Sequence, residues 1–231
     1  MEDWLKREEL LIGEENIKKL QKATVAIFGC GGVGSYTIEA LARAGIGNFV
    51  LIDNDVVDVT NINRQLIADT ETIGMDKVQV AQNRILKINP SAKITVFKEF
   101  YCEKNVDKLL NKNYIYIVDA IDSVKSKISL IEEAHKRNIN IISAMGMGNK
   151  LNPTMIEISD ISKTEVCPLA KVVRKSLREI GINHTKVVYS KEQPIRFDKS
   201  KENEKITASI SFVPSVAGLI IASEVVKDII K

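Results

Sequence analysis

The sequence predicts an α/β fold with a doubly wound, mainly parallel sheet and a C-terminal extension. Short β-branched runs alternate with helical patterns, which is typical of βαβ units. A glycine-rich loop, GCGGVG at 29–34, joins the first predicted strand to a helix, as in Rossmann-like folds. The 231 residues are 45% hydrophobic and 27% charged, a globular balance that excludes a disordered chain and a disulfide miniprotein.

The predicted elements follow one another in a regular order. Strands are predicted at 24–28, 49–53, 94–97, 114–118 and 139–143, and helices at 35–44, 74–88 and 123–138. The second helix stops at Asn89-Pro90 because proline cannot continue it. Further on we predict a strand at 154–159, helices at 169–180 and 212–230, and a mobile loop in the charge-dense stretch 191–205. We interpret 1–231 as one domain, with a nucleotide-binding core at 1–150 and an extension for substrate and dimer contacts at 151–231.

Charge and cysteine usage exclude several classes of protein. The 33 basic and 30 acidic residues leave a net charge of +3, too weak to indicate nucleic acid by itself. Cys30, Cys102 and Cys167 are far apart and odd in number, so neither zinc nor a disulfide framework is predicted. The N-terminus lacks the apolar core of a signal peptide, and the apolar stretch 212–230 is interrupted by charges. We therefore expect a cytoplasmic protein without zinc and without membrane association.

A nucleotide site is predicted at the glycine-rich loop. Gly29, Gly31 and Gly34 allow a tight turn and a close approach of the backbone to phosphate, beside the positive end of a helix dipole. Asp53, about twenty residues further on, is placed to hold ribose hydroxyls. These two features alone also fit a nicotinamide-dependent dehydrogenase, or a tight turn that binds no ligand.

The polar residues that follow favour a triphosphate over a dinucleotide. Arg64 lies in the segment LIDNDVVDVTNINRQ, and Lys77 lies on the next predicted helix. An arginine fork suits phosphate oxygens and lysine supplies a point charge, although both are ordinary surface charges in the alternative interpretation. Asp122, beyond the fourth predicted strand, is a candidate to carry Mg²⁺ between phosphates, or else the N-cap of the helix that begins near Ser123.

Taken together, these motifs resemble the ubiquitin-activating enzyme superfamily, which includes the ThiF and MoeB adenylyltransferases. The resemblance rests on GxGGxG, DxD, NxxRQ, a downstream lysine and DxxD. It implies a site for ATP and Mg²⁺ formed by Gly29, Gly31, Gly32, Gly34, Asp53, Asp55, Asn61, Arg64, Lys77, Asp122 and Ser123. It also implies catalytic roles for Arg64, Lys77 and Asp122, and for Arg7, which would reach into the partner subunit's site in a homodimer; the alternative for Arg7 is an ordinary helix charge.

Within that superfamily the sequence is similar, over nearly its whole length, to the tRNA threonylcarbamoyladenosine dehydratases. The similarity is carried by EALARAGIGNFVLIDNDVVDVTNINRQ, VDAIDSVKSK, NPTMIEISDISKT, PLAKVVRKSLR and FVPSVAG. It implies ATP-dependent cyclisation of N6-threonylcarbamoyladenosine at position 37 of tRNA, through an acyl-adenylate. It also allows a monovalent cation, K⁺ or Na⁺, near residues 144–150, and a cysteine desulfurase or sulfur-acceptor system as a partner.

Three other functions stay open on the sequence. They are adenylation of a ubiquitin-like sulfur carrier, which the missing CxxC pairs disfavour, a non-catalytic nucleotide-binding tRNA chaperone, and an NAD-dependent oxidoreductase. We interpret Cys30 as a packing residue and Cys102 as a core or surface residue, and we do not expect Cys167, at a predicted helix start, to be a catalytic thiol. His135 and His184 are interpreted as surface residues. The tRNA is expected on a basic surface, unless these side chains form a solvated face: Lys171, Arg174, Lys175, Arg178, Lys186, Lys191, Arg196, Lys199 and Lys201.

Overall fold

The computed structural model describes residues 3–110, 113–196 and 207–231. Within these residues the strands are β1 (Thr24–Phe28), β2 (Asn48–Ile52), β3 (Lys93–Phe97), β4 (Tyr116–Asp119), β5 (Asn140–Ala144), β6 (Ile156–Asp160) and β7 (Lys186–Ser190). The helices are α1 (Lys6–Ile12), α2 (Glu14–Lys22), α3 (Gly34–Arg43), α4 (Lys77–Ile88), α5 (Val106–Leu109), α6 (Val124–Lys136), α7 (Pro168–Glu179) and α8 (Phe212–Ile230).

All the strands of the described chain join one sheet, in the order β3-β2-β1-β4-β5-β7-β6. Neighbouring strands are parallel except β6 and β7, which are antiparallel. The chain winds outward from β1 in one direction and then from β4 in the other, so the strand order reverses between these two central strands. In such sheets ligands bind beyond the carboxyl ends of the strands at the point of reversal. The predicted fold class and the extension of the sheet are confirmed.

Helices cover both faces of the sheet, because successive side chains of a strand point to opposite sides. On β1, Val25 and Ile27 pack in the cluster that contains α3, α4 and α8, whereas Ala26 and Phe28 pack in the cluster that contains α6 and α7. Each fully buried aliphatic or aromatic side chain contributes about 1.5–3 kcal/mol to folding. The two apolar clusters therefore fix the central strands, and with them the loops at the strand ends.

Helix α8 packs closely on α3, the helix that follows the glycine-rich loop. A Cβ atom at Gly218 would collide with the backbone of Val33, and the Thr37 hydroxyl donates a hydrogen bond to the Gly218 carbonyl over 3.0 Å. The bounds predicted for this helix, 212–230, are confirmed. In the described part of the chain, none of the helices combines the length and the apolar character that a membrane crossing requires.

Several element bounds differ from the prediction by one to three residues. Strand β2 ends at Ile52, so Asp53 lies just beyond it. Helix α4 begins at Lys77 because the preceding residues form an isolated bridge between Val56 and Asp76. Strand β6 begins at Ile156 because the preceding residues form a 3₁₀ turn, capped by a side-chain hydrogen bond. The prediction missed β7. Residues 191–196 form neither helix nor strand, as predicted, whereas 197–205 lie outside the described residues and the mobility of the loop stays a prediction.

Candidate functional site

A cleft of about 660 Å³ opens at the carboxyl edge of the sheet, where the strand order reverses. Its walls come from the loops that follow β1 to β5, from the start of α7, and from the segment just before and within α8. Most of the predicted site residues line it: Gly29, Gly31, Gly32, Asp53, Asp55, Asn61, Arg64, Lys77 and Asp122. Gly34, Ser123 and Arg7 are not among the described residues that line it.

The glycine-rich loop needs glycine for two steric reasons. Gly29 has a φ of 95°, and a Cβ atom there would lie 2.6 Å from the carbonyl oxygen of Ala120. At Gly34, the first residue of α3, a Cβ atom would collide with the carbonyl of Gly29. Gly34 therefore lets the helix close on the loop instead of lining the cleft. The result is a tight turn that directs the N-terminus of α3 toward the cleft.

Asp53 ties the glycine-rich loop to the end of β2. One carboxylate oxygen accepts a hydrogen bond from the Cys30 backbone N–H over 2.6 Å, and the other accepts one from the Asp55 N–H over 2.9 Å. Burial raises the pKa of Asp53, and the two backbone hydrogen bonds oppose that shift. Burial, with the charge of Asp53, also holds the pKa of the Cys30 thiol well above its ordinary value. Cys30 is therefore a packed thiol and not a reactive one.

Two cationic side chains, Lys77 and Arg64, line the cleft together with Asp53 and Asp55. Lys77 Nζ lies 2.8 Å from Asp55 Oδ2, and its side chain is only 7% exposed. One terminal nitrogen of the Arg64 guanidinium donates two hydrogen bonds. The acceptors are the Thr60 carbonyl, over 2.8 Å, and the side-chain oxygen of Asn63, over 2.9 Å. Both cations line the cleft beside the glycine-rich loop, so they place positive charge where a phosphate chain would lie.

Asn61 has a structural role as well as a place in the cleft wall. Its side-chain oxygen accepts the backbone N–H of Asp58 over 3.2 Å, while the Asp58 carboxylate accepts the Thr60 N–H in return. This capping arrangement fixes the short 3₁₀ turn that precedes Arg64. The amide nitrogen of Asn61 remains the group that a ligand could contact.

The two carboxylates of the DxxD motif have different surroundings. Asp119 is fully buried, and its side chain accepts hydrogen bonds from Lys127 Nζ over 2.8 Å and from the Ser143 hydroxyl. Asp122 is exposed and lines the cleft. Helix α6 has Ser123 as its N-cap residue, so the interpretation of Asp122 as the N-cap is wrong.

Asp122 fits a magnesium ion that is held mainly by phosphate. Among the described residues, no group of three or more His, Cys, Asp or Glu side chains could hold a metal ion. Mg²⁺ keeps most of its coordination for water and substrate phosphates, and one carboxylate from the protein suffices. The exposed carboxylate of Asp122, in a cleft that Lys77 and Arg64 also line, agrees with that donor set.

Sequence reasoning missed part of the cleft wall. Gln65 is buried there, and its side-chain oxygen lacks a hydrogen-bond partner within the described chain. The loop after β3 contributes Glu99, Phe100 and Tyr101, and the loop after β5 contributes residues 144–148. The general rule that ligands sit at strand ends could have found the loop after β3, because it begins where a strand stops. The loop after β5 was expected only as a place for a monovalent cation.

The predicted basic residues do not form one free surface. Lys171, Lys175 and Arg178 are exposed on α7, whose residue Leu169 reaches the cleft. In contrast, the Arg174 guanidinium donates to the Thr164 carbonyl over 2.7 Å. Lys186 is paired with Glu224 and Asp228, and Lys191 is paired with Glu157. Arg196 is exposed, whereas Lys199 and Lys201 lie outside the described residues.

The remaining thiols and imidazoles lie where the sequence placed them. Cys167 is buried at the N-cap of α7 and Cys102 is half-buried. His135 and His184 are exposed, and His184 lies 3.3 Å from Asp160. None of these four residues lines the cleft in the described structure.

The ThiF family model matches residues 5–231, which is nearly the whole chain. This chain belongs to the ThiF family. The tRNA threonylcarbamoyladenosine dehydratase of Bacillus subtilis (strain 168) is 45% identical to this ThiF-family protein, over 97% of this chain and 94% of the relative. The E. coli dehydratase TcdA, solved with ATP, superposes with a TM-score of 0.90 at 32% identity, over 99% of this chain and 96% of that one. Its complex with AMP superposes equally well, at 33% identity.

Proposed function

We propose that this ThiF-family protein is an ATP-dependent tRNA threonylcarbamoyladenosine dehydratase. The observation that carries the proposal is the single cleft that gathers the glycine-rich loop, Asp53, Arg64, Lys77 and Asp122 at the point of strand reversal. The match covers almost all of a relative with this name, and the E. coli enzyme binds ATP and AMP on the same fold.

The chemistry must turn a carboxylate into an acyl donor. A carboxylate oxygen of the threonylcarbamoyl group attacks the α-phosphorus of ATP, the bond to the β-phosphate breaks, and pyrophosphate leaves. An internal nitrogen or oxygen of the modified base then attacks the acyl carbon, the mixed anhydride breaks, and AMP departs with the bonding electron pair. One proton is lost and the ring closes, so the net change is the loss of water at the expense of ATP cleavage.

The side chains of this protein would hold ATP and the substrate carboxylate, both anions, next to each other, and they would offset the charge that develops on phosphate. Lys77 and Arg64 supply positive charge beside the phosphates, and the glycine-rich loop supplies backbone N–H groups. Asp53, held by two backbone N–H groups, presents its remaining lone pairs to the ribose hydroxyls. Asp122 would hold magnesium, which when bound neutralises phosphate charge.

Mass analysis of tRNA nucleosides tests this proposal directly. Incubation of tRNA that carries threonylcarbamoyladenosine with the protein, ATP and Mg²⁺ is expected to give a nucleoside lighter by one water. Omission of ATP is the control and should leave the nucleoside unchanged. ATP–pyrophosphate exchange that depends on a ubiquitin-like carrier protein and not on tRNA would favour sulfur-carrier adenylation instead.

We also propose that the active form is a homodimer in which Arg7 completes the partner's site. Arg7 lies exposed on α1, outside the cleft of its own chain. The same helix exposes Leu10 and Leu11 by 89% and 83%, a paired apolar surface that a second copy would cover.

Mixing two inactive variants tests this arrangement. Arg7→Ala and Lys77→Ala homodimers are each expected to be inactive. After mixing and subunit exchange, mixed dimers contain one site with both residues intact, so about a quarter of wild-type activity should return. No recovery, with subunit exchange verified, would show that Arg7 does not act on the partner subunit.

Other expectations remain predictions. A cytoplasmic location agrees with tRNA as the substrate. A K⁺ or Na⁺ ion near 144–150 must coexist with Lys150, whose buried Nζ donates to the Ser190 carbonyl over 3.1 Å. A cysteine desulfurase or sulfur-acceptor partner has no structural support in the described chain. The division into a core at 1–150 and an extension at 151–231 is likewise part of the proposal.

A further inference from the structure

We propose that Lys127 is a positioning residue that holds helix α6 against the ends of β4 and β5, and so orients the two loops that enclose the triphosphate and the acid substrate. This inference rests on the proposed function, because it assigns Asp122 to the magnesium of bound ATP. Lys127 itself lies below the cleft and is not among the described residues that line it. Its effect would pass through Asp119 and Ser143.

Lys127 joins three elements in the interior of the protein. Its side chain and that of Asp119 are both 0% exposed, and the ammonium lies 2.8 Å from Asp119 Oδ2. The same ammonium donates to the Ser143 hydroxyl over 3.3 Å, and this hydroxyl donates to Asp119. The pair therefore links α6, the last residue of β4 and the penultimate residue of β5.

Each strand end continues directly into a wall of the cleft. Asp119 precedes the loop that carries Asp122, and its second oxygen accepts the Ile121 N–H over 3.1 Å. The first residue of that loop, Ala120, also lies against Gly29, where no Cβ atom would fit. Ser143 precedes residues 144–148, which line the cleft beside that loop because β5 is the neighbour of β4 in the sheet. A change at Lys127 would thus reach both walls at once.

The energetics favour a geometric role over a stabilising one. Moving both charges out of water costs free energy that their attraction barely recovers, and a buried ion pair can often be replaced by apolar groups without loss of stability. A buried pair instead imposes a direction and a distance on the groups that it joins, because each partner must reach the other. Here it fixes α6 against Asp119 and Ser143, which are neighbours in the sheet and from which the two loops begin.

Calorimetric titration of ATP, with and without Mg²⁺, measures this role without any turnover. For the wild type we expect Mg²⁺ to lower the Kd for ATP about tenfold or more, as for coupled ligands. Lys127→Met, and the double variant Asp119→Asn with Lys127→Met, should reduce this Mg²⁺ effect to less than about twofold while retaining binding of free ATP. Ser143→Ala is expected to lie between.

The matched control is Lys136→Met, because Lys136 lies on the same helix with its side chain 57% exposed. It should keep the wild-type ratio of the two Kd values. Thermal melting of every variant identifies misfolding. If Lys127→Met alone does not fold, the double variant serves instead, because it also removes the buried charge that Asp119 would carry without its partner. A wild-type Mg²⁺ effect in the folded double variant would overturn the role of Lys127. Absence of any Mg²⁺ effect in the wild type would instead overturn the magnesium assignment to Asp122.

Discussion

At the scale of single residues, the cleft depends on charges that are held in place before any ligand binds. Lys77 is the clearest case, since its ammonium is almost fully buried and lies against Asp55. A group fixed in this way loses little conformational freedom when phosphate arrives, and it needs no reorganisation as charge develops on the α-phosphate. Asp122 differs, because its exposed carboxylate is available to an incoming ion.

Lys77→Ala and Asp122→Ala are each expected to lower substrate-dependent ATP–pyrophosphate exchange on the order of 10²- to 10³-fold. The fold should persist, because neither side chain belongs to the two apolar clusters of the core. Lys87→Ala is the matched control, an exposed lysine near the other end of α4. Near wild-type exchange in either site variant would remove that residue from the catalytic machinery.

At the scale of elements, hydrogen bonds and ion pairs of Asp228 join the carboxyl-terminal turns of α8 to the amino edge of the sheet. Asp228 accepts hydrogen bonds from the Tyr116 hydroxyl over 2.8 Å and from Lys186 and Lys231. Burial alone would raise the pKa of Asp228, but these hydrogen bonds outweigh it and hold the pKa below its ordinary value. A carboxyl whose pKa is lowered by folding stabilises the native state above its unfolded pKa.

Asp228→Asn is therefore expected to lower the melting temperature at pH 7 by roughly 2–6 °C. The deficit should persist down to the ordinary carboxyl pKa of 3.8, and shrink as the pH falls below it toward the folded pKa of Asp228. Thermal melts from pH 7 to pH 3 would show this convergence with the wild type. Glu15→Gln, at an exposed carboxylate on α2, should change nothing, and a deficit in Asp228→Asn that is constant with pH would contradict the charge explanation.

The elements also show what could be predicted from sequence. Strands β1 and β3 to β5 and helices α3, α6 and α8 follow from hydrophobic runs of the right length, because local patterns suffice there. Strand β7 was missed, since KVVYS is short and its burial depends on pairing with β5 and β6. In the site, the glycines and charged motifs could be predicted from sequence. The burial of Gln65 and the contacts of Lys127 with Asp119 and Ser143 could not, because they depend on how the elements pack together.

At the scale of the whole molecule, the tRNA must reach the cleft across a surface that carries positive charge. Lys171, Lys175 and Arg178 follow one another at helical spacing along the exposed face of α7, whose first turn reaches the cleft through Leu169. Strand β6 runs antiparallel to β7 and ends at the amino edge, and residues 161–167 bring the chain back to the carboxyl edge, where Leu169 lines the cleft. Helix α7 then leads away from the cleft toward the amino edge, where β7 begins. We therefore expect tRNA phosphates to follow α7.

The double variant Lys171→Ala with Lys175→Ala should weaken tRNA binding. It should also reduce the slope of log Kd against log salt concentration by about 2, because each lost phosphate contact lowers that slope by about 1. Binding titrations at several salt concentrations measure this slope. Lys18→Ala with Lys22→Ala, two exposed lysines of α2, should leave the slope unchanged. A slope unaltered by the α7 variant would place the tRNA elsewhere.

The reversal of strand order between β1 and β4 has an evolutionary consequence. The predicted nucleotide-binding residues that line the cleft all precede Ser123, whereas another part of the wall comes from residues 144–148, Leu169 and the approach to α8. Mutations confined to residues 144–148 and the start of α7 can reshape the pocket for the acid, whereas α8 is constrained by its contacts with α3 beside the glycine-rich loop. Proteins that descend from this fold can therefore change the carboxylic acid that they accept as substrate while they continue to use ATP.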